Sequence, residues 1–137
     1  MNYIYVGIGG FIGAILRVST GNFFMQIFSN TIIPFSTLSI NLLGTFILAF
    51  FLANKVKKVS SNFNLFFSTG LLGSFTTFST FSIETINLLN IGEFWLALFY
   101  IMLSLLGGIL FSWLGFITAN IKLENIKIPS TPRGDEY

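Results

Sequence analysis

Residues 70–81 read G-L-L-G-S-F-T-T-F-S-T-F. They place two glycines, five hydroxyl residues and three phenylalanines in the middle of an apolar segment. Polar groups and irregular backbone persist at membrane depth only where protein covers them or where they line a cavity. A helix that is interrupted at Gly73 to Thr77 and resumes at Phe78 is therefore typical of a permeation path. A Gly/Ser/Thr packing face between membrane helices is the alternative interpretation.

The composition is that of an integral membrane protein. Of the 137 residues, 53% are hydrophobic and 9% are charged, whereas soluble domains carry about 25% charged residues. One span needs about 20 apolar residues, so the chain has room for about four helices and for no soluble catalytic domain. The sequence contains neither Cys nor His, which excludes disulfides and the commonest zinc sites. The net charge of +2 is too small to indicate nucleic-acid binding.

Four apolar segments separated by polar turns predict four transmembrane helices. We expect them at Tyr3–Met25, Phe35–Asn54, Leu65–Leu89 and Phe94–Ala119, with the third helix broken at Gly73–Thr77. The first segment lacks a basic start and a cleavage site, so we interpret it as a retained helix rather than a signal peptide.

The chain divides into one transmembrane domain, residues 1–121, and a polar tail, residues 122–137. The final residues, S-T-P-R-G-D-E-Y, fit either a native tail or residues added in cloning.

The basic residues outside the helices fall on one side of a four-helix chain. They lie in the second loop and after the fourth helix, and the first and third loops contain neither Lys nor Arg. The positive-inside rule therefore places both termini in the cytoplasm. The residues concerned are Lys55, Lys57, Lys58, Lys122, Lys127 and Arg133.

Two charged residues lie inside the predicted helices, Arg17 and Glu84. Such residues are costly in a membrane unless partnered, and they mark functional or structural sites. Arg17 lies on a face of small residues that includes Gly10, Gly13 and Gly21. A capping role beside a water-filled vestibule and a direct role in an ion path are both open for it. Glu84 is compatible with pairing to Arg17, with ion relay and with anchoring of helix ends.

Phe78 and Phe81 stand three residues apart among hydroxyl residues, so they face one side of the third helix. Aromatic ring edges carry positive partial charge and can face an anion. Asn41 places an amide at mid-membrane depth, where hydrogen bonding between helices is the other interpretation. Weak donors of this kind, without Lys or Arg, suit a small anion that must both enter and leave.

Taken together, these residues resemble the Fluc/CrcB fluoride channels, small four-helix bacterial membrane proteins that export fluoride passively. The resemblance extends from Tyr3 to about Ala119. Its three motifs are G-G-F-I-G-A-I-L-R at Gly9–Arg17, T-L-S-I-N-L-L-G-T-F at Thr37–Phe46 and G-L-L-G-S-F-T-T-F-S-T-F-S-I-E at Gly70–Glu84. It implies an all-α protein of the bacterial inner membrane that assembles as an antiparallel dimer with two pores along the subunit interface.

The resemblance also implies roles for individual residues. Gly73 and Thr76 match the positions whose backbone carbonyls hold a structural Na⁺ at the centre of the dimer. Fluoride is the implied permeant ion. The positions implied along its route are Asn41, Phe78, Phe81, Thr37, Ser79, Thr80, Ser112, Arg17 and Glu84.

Three positions depart from the family pattern. Ser74 stands where a second glycine is usual, and Phe35-Ser36 replaces a Pro-Gly type start of helix two. Gly108 stands where family members have a pore-side serine. Ser104 or Ser112 would then supply the hydroxyl donor that Gly108 lacks.

The charge distribution leaves the assembly open. Family members encoded by a single gene insert in both orientations and carry balanced charge, whereas here all six basic residues outside the helices lie on one side. This bias predicts a partner subunit of opposite orientation. The alternatives are a homodimer, a pair with an oppositely oriented paralogue, and a non-conducting subunit that needs such a paralogue.

Two further classes of protein are disfavoured. A proton-coupled small multidrug exporter would carry its essential glutamate in helix one, where this chain has Arg17. An enzyme is not expected, because only Glu84 and Arg17 offer buried acid–base groups.

Overall fold

The computed structural model describes residues 2–28, 31–54 and 60–126, with side chains for 3–28, 31–54 and 60–121. Every regular element within these residues is helical. Three helices, the first, second and last, are long and apolar enough to cross a membrane. In chain order the elements are α1 (Asn2–Ile27), α2 (Phe35–Asn54), α3 (Ser61–Asn64), a π-helical segment (Leu65–Leu72), α4 (Gly73–Phe75), α5 (Phe78–Asn90) and α6 (Phe94–Ile126).

The region predicted as the third helix consists of several shorter segments. Extended dihedral angles occur between α4 and α5, at Thr76 (φ −77°, ψ 154°) and Thr77 (φ −144°, ψ 114°). Gly73 is helical (φ −63°, ψ −31°), so the prediction that the interruption begins at Gly73 is wrong. The interruption therefore does not depend on the backbone conformational freedom of Gly73. It lies at Thr77, whose backbone N–H and carbonyl are hydrogen-bonded to the Asn41 side chain.

The ends of two other helices also differ from the prediction. Helix α1 continues to Ile27 rather than Met25, and α6 continues to Ile126 rather than Ala119. Neither predicted end is followed by a nearby Gly or Pro that would stop the helix. Residues 122–126 of the predicted tail are therefore helical, while residues 55–59 and 127–137, which carry most of the basic side chains, lie outside the described residues.

A small buried core joins α2, α5 and α6. It contains Leu38 of α2, Leu88 of α5 and Ala97 and Tyr100 of α6, and Tyr100 is 0% exposed. The outward faces of α1 and α6 are apolar and exposed in the single chain, as at Phe11 and Ile109. In a membrane protein such faces contact lipid or another subunit.

Helix α1 packs closely against the π-helical segment. A Cβ atom on Gly9 would overlap the carbonyl oxygen of Phe66, and one on Gly13 would overlap that of Leu71. Glycine at these two positions therefore lets the backbones touch, as small residues do between membrane helices. The contact fixes the segment that leads directly into α4 and the interruption.

We expect Gly9→Ala and Gly13→Ala to destabilise the folded protein by about 1–3 kcal/mol each, since the added methyl group meets backbone that must move. Gly7→Ala is the matched control, because nothing lies within 4 Å of a Cβ built there. The measurement is the thermal unfolding midpoint in detergent. Midpoints for the Gly9 and Gly13 variants at or above that of the Gly7 variant would contradict the close contact.

Candidate functional site

The candidate site is built around the extended backbone at Thr77. The Asn41 side-chain amide donates to the Thr77 carbonyl oxygen at 3.1 Å, and the Thr77 N–H donates to Asn41 Oδ1 at 2.9 Å. Thr77 is only 7% exposed, so water does not readily replace these bonds, and each unsatisfied group would cost about 1–3 kcal/mol. The Asn41 side chain thus replaces the acceptor that the Thr77 N–H would have in a continuous helix, and it adds a second donor to the Thr77 carbonyl, which is the first acceptor of α5.

The Thr77 side chain caps the N-terminus of α5. Its Oγ1 accepts a hydrogen bond from the Thr80 N–H at 3.2 Å, which is the N-cap arrangement. The same oxygen lies 2.9 Å from Thr80 Oγ1 and 3.3 Å from Ser79 Oγ. Three hydroxyl groups therefore cluster at the first turn of α5, beside the interruption.

Two backbone carbonyls at the interruption lose their helical partners. In a continuous α-helix the Thr77 N–H would bond the Gly73 carbonyl and the Thr80 N–H would bond the Thr76 carbonyl. Here the first N–H donates to Asn41 Oδ1 and the second to Thr77 Oγ1. Among the described residues, no other hydrogen bond reaches either carbonyl oxygen.

This donor set fits a hard monovalent cation. Backbone carbonyl oxygens are ligands that hard cations accept. In the described part of the chain, no group of three or more His, Cys, Asp or Glu side chains could hold a metal ion. Gly73 and Thr76 are the two positions at which the sequence predicts carbonyl ligands for Na⁺, and the ion itself stays a prediction.

A second polar network surrounds Glu84. Thr37 Oγ1 donates to Glu84 Oε1 at 2.7 Å, and the Tyr100 hydroxyl donates to Glu84 Oε2 at 2.9 Å. Of the interpretations left open for Glu84, these contacts match an anchor, because they tie α2, α5 and α6 together. Sequence reasoning missed Tyr100, although a tyrosine within an apolar helix needs a partner for its hydroxyl when it is buried.

A first cleft of about 430 Å³, which we call the arginine cleft, lies between α1, α2 and α5. Its polar lining includes Arg17, Thr37, Thr77, Thr80 and Glu84. The structure therefore brings together four of the predicted site residues, with Thr77 added to them. Ser79 joins this group through its hydroxyl contact with Thr77.

A second cleft of about 360 Å³, the phenylalanine cleft, lies on the other side of Thr77. Phe78 is 80% exposed, and its ring lies 5.9 Å from that of Phe81, measured between centroids. The Phe81 ring also packs against Tyr100 at 5.2 Å, so it connects the cleft to the buried core. The predicted site residues that line this cleft are Asn41, Gly73, Thr76, Phe78 and Phe81.

A third cleft of about 860 Å³, the α6 groove, runs between α2 and α6. Ser104 lines both this groove and the phenylalanine cleft, and its buried Oγ has no hydrogen-bond partner among the described residues. Ser112 and Gly108 lie further along the groove. A Cβ atom on Gly108 would meet nothing within 4 Å, so the position has space for a side chain.

The sequence also matches a known protein family. The model of the CrcB-like protein family, described as Camphor Resistance (CrcB), matches residues 4–116. The chain belongs to this family. With its apolar helices, it is a multi-pass membrane protein.

Several relatives carry the name of an ion channel rather than of an enzyme. "Fluoride-specific ion channel FluC 1" of Desulfitobacterium hafniense is 47% identical over 76% of this chain and 90% of its own length. A protein of the same name from Bacillus thuringiensis subsp. konkukian is 40% identical over 89% of this chain and 90% of its own length. "Fluoride-specific ion channel FluC" of Campylobacter fetus subsp. fetus is 43% identical over 82% of this chain and 88% of its own length. The resemblance inferred from the three motifs is confirmed.

We expect Tyr100→Phe to destabilise the protein by about 1–3 kcal/mol, because the hydroxyl of the fully buried Tyr100 donates to the Glu84 carboxylate, which loses that donor. Tyr3→Phe removes the same atom from a side chain that is 89% exposed, and it serves as the control. Thermal unfolding midpoints of the two variants provide the measurement. Equal midpoints would show that the Tyr100 hydroxyl contributes nothing to the Glu84 network.

Proposed function

We propose that the chain is a subunit of a fluoride-selective channel through which fluoride leaves the cell passively, lowering its toxicity. The observation that carries this proposal is the phenylalanine cleft, in which Asn41, Phe78 and Phe81 meet beside the interruption. The names of the relatives supply the identity of the ion. We assign the chain no enzymatic activity.

The chemistry of the clefts supports a small anion as the permeant species. The phenylalanine cleft is lined by Phe78, Phe81, Asn41 and Ser104, with no Lys or Arg among its described lining residues. Such donors replace part of the water shell of an anion without binding it as tightly as a fixed positive charge would. Arg17 lies in the neighbouring arginine cleft, where its charge attracts anions toward the path.

The π-helical segment, α4 and α5 together make the third membrane crossing in this proposal, interrupted at Thr76 and Thr77. The crossing is completed by an antiparallel dimer, in which a second subunit covers the exposed Phe78 ring and the α6 groove. Support comes from the openness of these surfaces in the single chain: Phe78 is 80% exposed and the groove has a volume of about 860 Å³. A purified protein that is monomeric in lipid would contradict the dimer.

A structural Na⁺ at the dimer centre is also part of the proposal. The carbonyls of Gly73 and Thr76, which have no hydrogen-bond donor in the described part of the chain, would hold it, and the bound ion would neutralise their negative partial charges. Their loss of helical hydrogen bonds supports this assignment. Absence of any sodium-dependent change in stability would count against it.

We further propose that both termini face the cytoplasm and that the chain pairs with an oppositely oriented paralogue. The charge bias of the loops supports this orientation. Reporter fusions that read both sides of the membrane would instead support a homodimer of dual topology. Gly108, which leaves the α6 groove without a hydroxyl at that position, keeps a non-conducting subunit of a two-gene channel as the second candidate.

Liposomes that contain only this purified chain test the function. We expect fluoride efflux with chloride efflux at least about tenfold slower, because the path offers weak donors in a narrow space. Efflux of the two ions at similar rates would contradict fluoride selectivity. If fluoride moves only after an oppositely oriented paralogue is added, the chain is one subunit of a two-gene channel.

Phe81→Ile should lower the fluoride efflux rate at least about tenfold while the protein stays folded. Isoleucine keeps an apolar side chain but lacks the ring edge that faces an anion. Phe11→Ile is the matched control, since Phe11 is 68% exposed on α1 and lines none of the three clefts. Efflux by the Phe81 variant at the rate of the control variant would show that this ring serves packing and not the passage of fluoride.

A further inference from the structure

We propose that the Asn41 and Thr77 side chains are positioning residues that keep the carbonyl oxygens of Gly73 and Thr76 free to bind a cation. The inference rests on the proposed function and deepens its sodium site. It assigns to these side chains a role in removing competing donors, separate from any contact with the permeant anion.

The first step concerns the Gly73 carbonyl. Its natural donor in a helix is the Thr77 N–H, four residues later. Asn41 Oδ1 accepts that N–H at 2.9 Å, while the Asn41 amide donates to the Thr77 carbonyl at 3.1 Å. These two bonds hold Thr77 in an extended conformation (φ −144°, ψ 114°). Helix α4 therefore cannot extend to Thr77 and consume the Gly73 carbonyl.

The second step concerns the Thr76 carbonyl. Its natural donor is the Thr80 N–H, which donates to Thr77 Oγ1 at 3.2 Å. The Thr77 hydroxyl thus caps α5 one residue after Thr76 and leaves the preceding carbonyl outside the helix. The N–H groups of Thr77 and Thr80 are thus diverted to side-chain oxygens. Gly73 and Thr76, whose carbonyls lose these donors, line the same cleft.

Leaving these two carbonyls without a donor is costly in a membrane. In the single chain Gly73 is exposed and Thr76 is half-buried, but hydrocarbon supplies no water, and a carbonyl without a partner there costs several kcal/mol. Closing either helical hydrogen bond would therefore stabilise the fold. The Asn41 and Thr77 bonds compensate for that loss by satisfying the N–H groups elsewhere. The carbonyls then stay available for a ligand that donates no hydrogen, which is what a hard cation provides.

The test compares thermal unfolding midpoints of the intact protein in sodium chloride and in N-methyl-D-glucamine chloride at equal ionic strength. A ligand that binds only the folded state raises the midpoint with its concentration. In Thr77→Val the Thr80 N–H becomes free to bond the Thr76 carbonyl. We therefore expect this variant to lose most of the sodium-dependent rise in midpoint, or to need at least about tenfold more sodium for half of that rise. Thr77→Ser keeps the capping oxygen and should retain the rise.

Thr85→Val is the matched control within α5. It removes a hydroxyl that donates to the Phe81 carbonyl at 2.8 Å, away from the two free carbonyls. Its sodium-dependent rise should equal that of the unmodified chain even if its midpoint in N-methyl-D-glucamine is lower. This comparison separates a loss of stability from a loss of sodium binding.

Asn41→Ala tests the first step independently, because it releases the Thr77 N–H toward the Gly73 carbonyl. We expect the same loss of the sodium-dependent rise. The inference would be overturned if both Thr77→Val and Asn41→Ala kept the full sodium-dependent rise in the unfolding midpoint and needed the same sodium concentration for half of it as the unmodified chain. So would a complete lack of sodium dependence in the unmodified chain. In that case fluoride efflux from liposomes, measured separately, would still decide the proposed function.

Discussion

The pair of hydrogen bonds between the Asn41 side chain and the Thr77 backbone is the interaction on which the rest of the site depends. Thr77 is 7% exposed, and without Asn41 its N–H would be buried with no acceptor, at a cost of about 1–3 kcal/mol. With the pair in place, Thr77 separates α4 from α5 and caps α5 with its own hydroxyl. Thr77 lines both the arginine cleft and the phenylalanine cleft, so the two clefts meet at this residue.

Helix α2 holds the chain beyond the interruption at two points that are one turn apart. Asn41 bonds Thr77, and Thr37, four residues earlier on the same face, bonds Glu84. Two attachments separated along α2 fix both the position and the direction of α5, whereas a single attachment would leave α5 free to swing. Tyr100 adds a third attachment from α6. The orientation of the Phe78 and Phe81 rings follows from this, since both belong to the first turns of α5.

The bounds of α2 and the family could be predicted from local sequence, whereas two features that depend on distant partners could not. Helix α2 begins directly after Pro34, and its apolar run stops at Asn54 and Lys55, so its predicted bounds, Phe35–Asn54, are those observed. The three sequence motifs predicted the family, and the match to the family model confirms it. The start of the interruption was wrong because glycine was taken as the cause, while the actual cause is an Asn41 side chain 36 residues away. Tyr100 was missed because its partner, Glu84, lies on another helix.

The groups that remain unpaired are more informative than those that are satisfied. Around Thr77 most polar groups are hydrogen-bonded, yet the Ser104 hydroxyl and the two carbonyls at the interruption have no partner among the residues that the structure describes. A hydroxyl hydrogen suits an anion and a carbonyl oxygen suits a cation, so these groups attract ions of opposite sign within one cleft. A cation held at the carbonyls would add a fixed positive charge beside the proposed anion path without a Lys or Arg side chain in that cleft. Its field would favour entry of a small anion, while the absence of direct contact would let that anion leave.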